Sequence, residues 1–230
     1  MKELRDRLKT EGVYLVKNAI DSYGIEDIKT RTERWKKQFN DNINMFIKNM
    51  STGVTEESQL LDGQKSYKSR RAGNLVFNNK NEIVGIHNLD EFFNGDILYI
   101  TRKYLAPYIA ELYSCKCKIL YSNFLIKRPN DEGVVFFHRD LKACNEWKES
   151  YIFGIYLDDT TIDSCVYFIK GSHLNYNTNY NEKDALPVIA ERGDICIHDS
   201  HVFHGSLGRP FANIRETVYI GFTSCESILI

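Results

Sequence analysis

From residue 117 onward the chain is a succession of short apolar segments cut by turn signals, and this pattern limits the fold more than any other feature. Lys118 to Ile126 is rich in aliphatic and aromatic residues and stops before Pro129. Val134 to His138 follows a polar turn at Asn130-Asp131-Glu132-Gly133. Tyr151 to Leu157 closes at Asp158-Asp159, and Val166 to Ile169 closes at Gly171-Ser172-His173. Ile195 to Ile197 follows Gly193-Asp194, and Thr217 to Phe222 begins just past Arg215. Short strands with regular turn signals predict a sandwich or barrel.

The first half reads differently. Residues 2–10 form a charged helical pattern, and Gly12 breaks it ahead of a candidate strand, Val13 to Val16. Asp21 or Ser22 is placed to cap a helix running through Ile25, Ile28 and Trp35. Leu89 to Tyr113 regains helical periodicity, with Pro107 marking a kink or a second start. Residues 40–88 are rich in Asn, Ser, Gly and Lys, and so long an irregular stretch implies a lid or binding loop. The class is therefore α+β dominated by a β core. With no internal repeat and no linker, 1–230 reads as one domain: 1–115 as helical support and lid, 116–230 as the core.

Composition excludes several functions. A formal net charge of −1 gives no electrostatic case for nucleic acid or an anionic membrane. No apolar run reaches the length of a membrane span, and Met1 to Thr10 lacks the apolar core of a signal peptide. Six scattered cysteines, with Cys115 and Cys117 the one close pair, fit free thiols in a reducing cytoplasm.

The chemistry gathers around Phe136-Phe137-His138-Arg139-Asp140. Residues two apart on a strand share a face, so His138 and Asp140 aim an imidazole and a carboxylate at one point. A histidine from a distant strand would complete two His and one carboxylate, the facial set of non-haem Fe(II) oxygenases. His138 to Asn145 also matches the kinase catalytic loop. Kinase chemistry needs a glycine-rich loop and an Asp-Phe-Gly, and neither is present.

His198, His201 and His204 are all candidates for the distal ligand. His204 has the right company: Gly205-Ser206 follows it, and Arg215 opens an apolar strand. An arginine aimed into a barrel is costly without an anion, and its fork suits a carboxylate. A metal with open positions plus an arginine–serine anchor is what a 2-oxo-dicarboxylic acid needs. His198 and His201 are then groups that support the ligands or lie at the surface.

These pieces resemble the phytanoyl-CoA dioxygenase-like branch of the Fe(II)/2-oxoglutarate oxygenases. The matching stretches are Lys127, Phe137 to Asp140, Leu157-Asp158-Asp159, Gly171-Ser172-His173, Gly193-Asp194, His204-Gly205-Ser206 and Arg215. The resemblance implies a double-stranded β-helix, a cupin-like jelly roll, with N-terminal helices. It implies Fe(II) on His138, Asp140 and His204, and 2-oxoglutarate on Ser206 and Arg215, with Lys127 nearby and O2 as oxidant. Family members often carry Gln where this chain has Arg139, and a small residue and a Pro near Cys165 and Lys170. Related halogenases have a small residue in place of Asp140, so the resemblance implies a hydroxylase. The alternative is a metal-binding jelly-roll module without oxygenase activity.

Substrate contacts are expected from Tyr121 and Asn123, which alternate on the strand leading to Lys127, and from His173 in its turn. Arg70 and Arg71 belong to a basic run in the 40–88 segment and are expected to meet an anionic group on a small molecule.

Overall fold

The computed structural model describes residues 2–41, 70–72, 75–78, 82–129, 135–141, 149–175, 180–206 and 212–225, with 70–72 and 135–136 described as backbone. Helix α1 (Lys2–Glu11) leads into β1 (Val13–Val16), and α2 (Ser22–Asn40) follows. Strands β2 (Arg70–Ala72), β3 (Leu75–Phe77) and β4 (Ile83–His87) precede α3 (Leu89–Ile100) and α4 (Ala106–Leu112). The remaining strands are β5 (Cys117–Lys127), β6 (Val135–His138), β7 (Ser150–Tyr156), β8 (Val166–Ile169), β9 (Leu186–Val188), β10 (Ile195–Asp199), β11 (Phe203–Ser206) and β12 (Arg215–Ser224).

The strands form two antiparallel sheets. One has eight strands in the order β1-β10-β7-β12-β5-β4-β3-β2, and the other four in the order β6-β11-β8-β9. This is a jelly roll with helices packed on one side. Alternation gives the large sheet two distinct faces. Phe124, Ile126, Phe153, Ile155, Val218 and Ile220 join Ile25, Ile28, Trp35 and Ile97 in a core between sheet and helices. Val13, Tyr156 and Cys196, on the opposite face, pack with Val166 and Phe168 of the small sheet. Each fully buried aliphatic or Phe side chain contributes about 1.5–3 kcal/mol relative to exposure. The functional residues occupy the inner, second face.

Helix α2 starts where Asp21 accepts a hydrogen bond from Gly24 N at 2.8 Å, so the cap is Asp21 and not Ser22. The helical stretch expected over Leu89 to Tyr113 is split. A π-helical turn, Thr101–Leu105, separates α3 from α4, and Pro107 sits in the first turn of α4, where its missing N–H costs nothing. Among the described residues no helix is long and apolar enough to cross a membrane.

Two expectations about the first half need correction. The large sheet is not confined to 116–230: β1 pairs with β10, and β2, β3 and β4 extend the edge beyond β5. The end of the 40–88 segment is therefore sheet. Leu75, Phe77, Ile83 and Ile86 are buried against the helical core, in strands of three to five residues that are too short to show a period. Residues 42–69, the larger part of the expected lid, lie outside the described residues.

The Gly193-Asp194 turn ties the N-terminal helices to the sheet. Gly193 has φ +94, and a Cβ there would stand 2.4 Å from the Ile20 carbonyl oxygen. Asp194 accepts from Asn18 N at 2.9 Å and from Glu191 N at 2.8 Å, and Lys17 pairs with it at 2.9 Å. Gly193→Ala combines left-handed strain with a backbone clash, so a loss of about 1–3 kcal/mol is expected. Thermal melting checks it: a midpoint within a degree of the parent would show that the turn relaxes without cost.

Candidate metal centre and cosubstrate pocket

His138 ends β6 and His204 lies on β11, and the two are direct cross-strand partners. Their rings are 4.5 Å apart between centroids. Asp140 follows His138 by two residues and turns its carboxylate to the same place. His138 Nε2 is 3.6 Å from Asp140 Oδ1, and His204 Nε2 is 3.8 Å from Asp140 Oδ2. One ligand atom from each of the three lies within 4.8 Å of the others. A four-residue ladder between the two strands thus supplies both imidazoles.

The protonation states suit a cation. Burial pushes His204 down to about 3, against the opposing charge of Asp140, and keeps it neutral at physiological pH. Its Nδ1 is 3.0 Å from the Val202 carbonyl, which fixes Nδ1 as the N–H and leaves the Nε2 lone pair facing Asp140. Burial raises the Asp140 carboxyl, but His204, His138 and His198 outweigh it and hold the group well below the ordinary carboxylate range. A neutral His204 and an ionised Asp140 are the states a divalent metal requires of them.

Of the other two histidines near His204, neither joins this cluster. His201 bonds Asp199 through both its backbone N and its Nδ1, at 2.8 and 3.0 Å. His198 is buried and faces inward, 2.9 Å from Asp140 Oδ2. Tyr121 also reaches the site. Burial first, then the Asp140 charge and a hydrogen bond to it, raise the Tyr121 phenol well above its ordinary value.

Arg215 begins β12 directly across from Lys127 on β5. Both are buried, Arg215 at 3% exposure. One guanidinium nitrogen donates to the Ser164 carbonyl, while Nε is buried with no partner among the described residues. A buried cation with an unused donor on an inner sheet face is a place for an anion. Ser206 is buried on β11, two residues from His204 and across a register irregularity.

The Leu157-Asp158-Asp159 and Gly171-Ser172-His173 turns fix this frame through the backbone. Asp158 accepts from Glu216 N at 2.9 Å and pairs with Lys29 at 2.5 Å, which pins the residue next to Arg215. Ser172 Oγ accepts from Phe203 N at 2.7 Å, next to His204. His173 is placed elsewhere: its Nε2 is 3.2 Å from the Lys9 carbonyl, and a Cβ on Gly12 would stand 2.5 Å from its Nδ1. The expected substrate contact by His173 is thus corrected to packing under the α1–β1 turn. Asn123 accepts from Asn88 N at 3.3 Å on the strand that carries Tyr121 and Lys127. Arg70 and Arg71 lie on edge strand β2, three strands from β5 and so about 14 Å across the sheet; their side chains lie outside the described residues.

The family model for phytanoyl-CoA dioxygenase (PhyH) matches residues 8–209. The chain belongs to this family. Enzymes of the phytanoyl-CoA dioxygenase family use Fe(II), 2-oxoglutarate and O2. No curated protein matches the sequence. Among solved structures, AviO1 from Streptomyces viridochromogenes Tue57 is similar over 96% of this chain and 93% of its own, at 21% identity and TM-score 0.66. EctD from S. alaskensis with bound Fe is similar over 97% and 76%, at 12% identity and TM-score 0.71. SnoK, a non-heme α-ketoglutarate-dependent carbocyclase from nogalamycin biosynthesis, is similar over 97% and 84%, at 12% identity and TM-score 0.69. At these identities the likeness is one of fold.

Arg139, which stands where phytanoyl-CoA dioxygenase family members often have Gln, points away from the candidate ligands His138, Asp140 and His204. Its guanidinium donates to the carbonyls of Ser172 and His201 and lies over the rings of Tyr180 and Phe203. Strand alternation requires this, since its neighbours His138 and Asp140 both face inward. Arg139 therefore clasps the segment ahead of His204 to the segment that carries the other two ligands, a role for which the sequence held no signal beyond the charge itself.

Proposed function

We propose that this chain is an Fe(II)- and 2-oxoglutarate-dependent dioxygenase that hydroxylates a small-molecule substrate. The reading is carried by the approach of His138, Asp140 and His204 to within 4.8 Å, with His204 neutral and Asp140 ionised. Fe(II) held there, with 2-oxoglutarate and O2, supplies the oxidising chemistry, and succinate and CO2 leave. His138, Asp140 and His204 would hold the metal through one ligand atom each.

Arg215 takes the far carboxylate of 2-oxoglutarate through its unused Nε–H, with the Ser206 hydroxyl as a second donor. Lys127, directly across the ladder, adds positive charge beside it. Tyr121 and Asn123 line the inner wall, and Phe168, stacked on His204 at 5.3 Å, excludes water from the ligand side. Asp140 is a carboxylate where related halogenases have a small residue, which supports oxygen transfer rather than halogenation. Arg70 or Arg71 would meet an anionic group on the substrate from the sheet edge.

Mass spectrometry tests the proposal. Purified protein, Fe(II), 2-oxoglutarate and a small-molecule extract under air should give succinate and a product heavier by one oxygen atom. A product lighter by two hydrogens would retain the oxygenase and replace hydroxylation with ring closure or desaturation. Bound metal with no succinate under any extract would leave a metal-binding module.

A further inference from the structure

We infer that His198 is a positioning residue that holds Asp140 to one-oxygen coordination of the metal. It thereby preserves the open positions that 2-oxoglutarate and O2 need. The inference rests on the oxygenase reading above and deepens it.

The first observation is the placement of His198. It lies on β10, paired with Val13 and Ile152, on the inner face of the large sheet at 2% exposure. Its Nε2 is 2.9 Å from Asp140 Oδ2, while its Nδ1 is buried with no partner among the described residues. Facing the carboxylate, Nε2 is the donor, and Nδ1 is left as a buried polar atom without a partner. An unpaired buried polar atom is a cost. Packing does not account for it: the ring sits 5.2 Å from Phe168 and 4.7 Å from His204, where a phenylalanine would fill the space without a polar atom. What an apolar ring could not supply is the hydrogen bond to Asp140.

The second observation is the symmetry of the ligand cluster. His138 approaches Asp140 from the Oδ1 side at 3.6 Å, and His204 approaches from the Oδ2 side at 3.8 Å. A metal held between the two imidazoles would have both carboxylate oxygens within reach. Two-oxygen binding with two imidazoles would fill four of six octahedral positions. A keto acid that chelates through two atoms would then leave no place for O2. One-oxygen binding leaves three open positions, the number that the facial set of two His and one carboxylate provides. Asp140 also takes a hydrogen bond from Tyr121; His198 is the donor fixed on Oδ2, where it occupies a lone pair of that oxygen and makes Oδ1 the better ligand. Partners of this kind commonly change metal-site properties 10–100-fold when removed.

The test uses the full chain loaded anaerobically with Co(II), whose visible absorption reports coordination number, and 2-oxoglutarate as the probe. His198→Phe keeps the ring volume without a donor, and His198→Gln keeps an N–H. In His198→Phe we expect Co(II) affinity equal to or tighter than the parent, 2-oxoglutarate affinity about tenfold or more weaker, and an altered visible band before the cosubstrate is added. His198→Gln should recover most of the 2-oxoglutarate affinity and the parent band. Loss of Co(II) from His198→Phe would make His198 a ligand and overturn the inference. An unchanged 2-oxoglutarate affinity and band would overturn it too, as would metal and cosubstrate affinity falling together with no recovery in His198→Gln. A parent protein that takes Co(II) but no 2-oxoglutarate would instead overturn the oxygenase reading, and this inference with it.

Discussion

His204→Ala is expected to lose metal binding and 2-oxoglutarate turnover together. His204 is one of two imidazoles on a three-residue cluster whose ligand atoms lie within 4.8 Å, and removing it leaves one imidazole and one carboxylate. Loss of an outer partner of a ligand typically costs about 10–100-fold in metal affinity or activity, so loss of the ligand itself should cost more than about a hundredfold in metal affinity. Titration with Ni(II) or Fe(II) measures this, and Ni(II) binds such sites more tightly. His201→Ala is the control. Its ring is engaged by Asp199 at 3.0 Å and lies outside the cluster, so metal affinity should stay within a fewfold of the parent. A thermal melt of each variant separates unfolding from ligand loss. If His201→Ala abolishes binding while His204→Ala retains it, the distal assignment is wrong.

The clustering of His138, Asp140 and His204 at the candidate site was legible because its information is local. His138 and Asp140 share a face by strand alternation alone, and the same rule sends Arg139 outward to the Ser172 and His201 carbonyls. His204 could be chosen from three histidines because Ser206 and Arg215 accompany it. That its stretch is strand β11 was not legible, since Phe203-His204-Gly205-Ser206 carries polar residues on its inner side and shows no apolar alternation. The sheet edges were hidden for a different reason. β1 pairs with β10 across some 180 residues of sequence, and β2 to β4 are three to five residues long. Pairings of that range leave no trace in a window of one chain segment. His198 is the clearest case: one histidine among three by sequence, it shows its bond to Asp140 only once β10 and β6 face each other.

Arg215→Ala is expected to weaken 2-oxoglutarate binding by tens- to about a hundredfold while metal binding persists. The residue is fixed at both ends of its reach. Its backbone pairs with Lys127, the neighbouring Glu216 N is held by Asp158, and one guanidinium nitrogen is spent on the Ser164 carbonyl. Its Nε–H is buried with no partner among the described residues, on the inner face of the sheet. A hydrogen bond to a charged group contributes about 1.5–3 kcal/mol, and each 1.36 kcal/mol is tenfold in affinity. Arg215→Lys keeps the charge and loses the planar fork, so it should fall between parent and Ala rather than match the parent. Fluorescence or calorimetric titration of 2-oxoglutarate into the anaerobic Ni(II) protein measures the affinity without turnover. The buried cation contributes to the fold as well, through Ser164, so a melting curve must accompany each titration. A folded Arg215→Ala protein that binds 2-oxoglutarate as tightly as the parent would place the far carboxylate elsewhere, with Lys127 as the next cation across the ladder. Lys127→Ala in that background would then carry the loss.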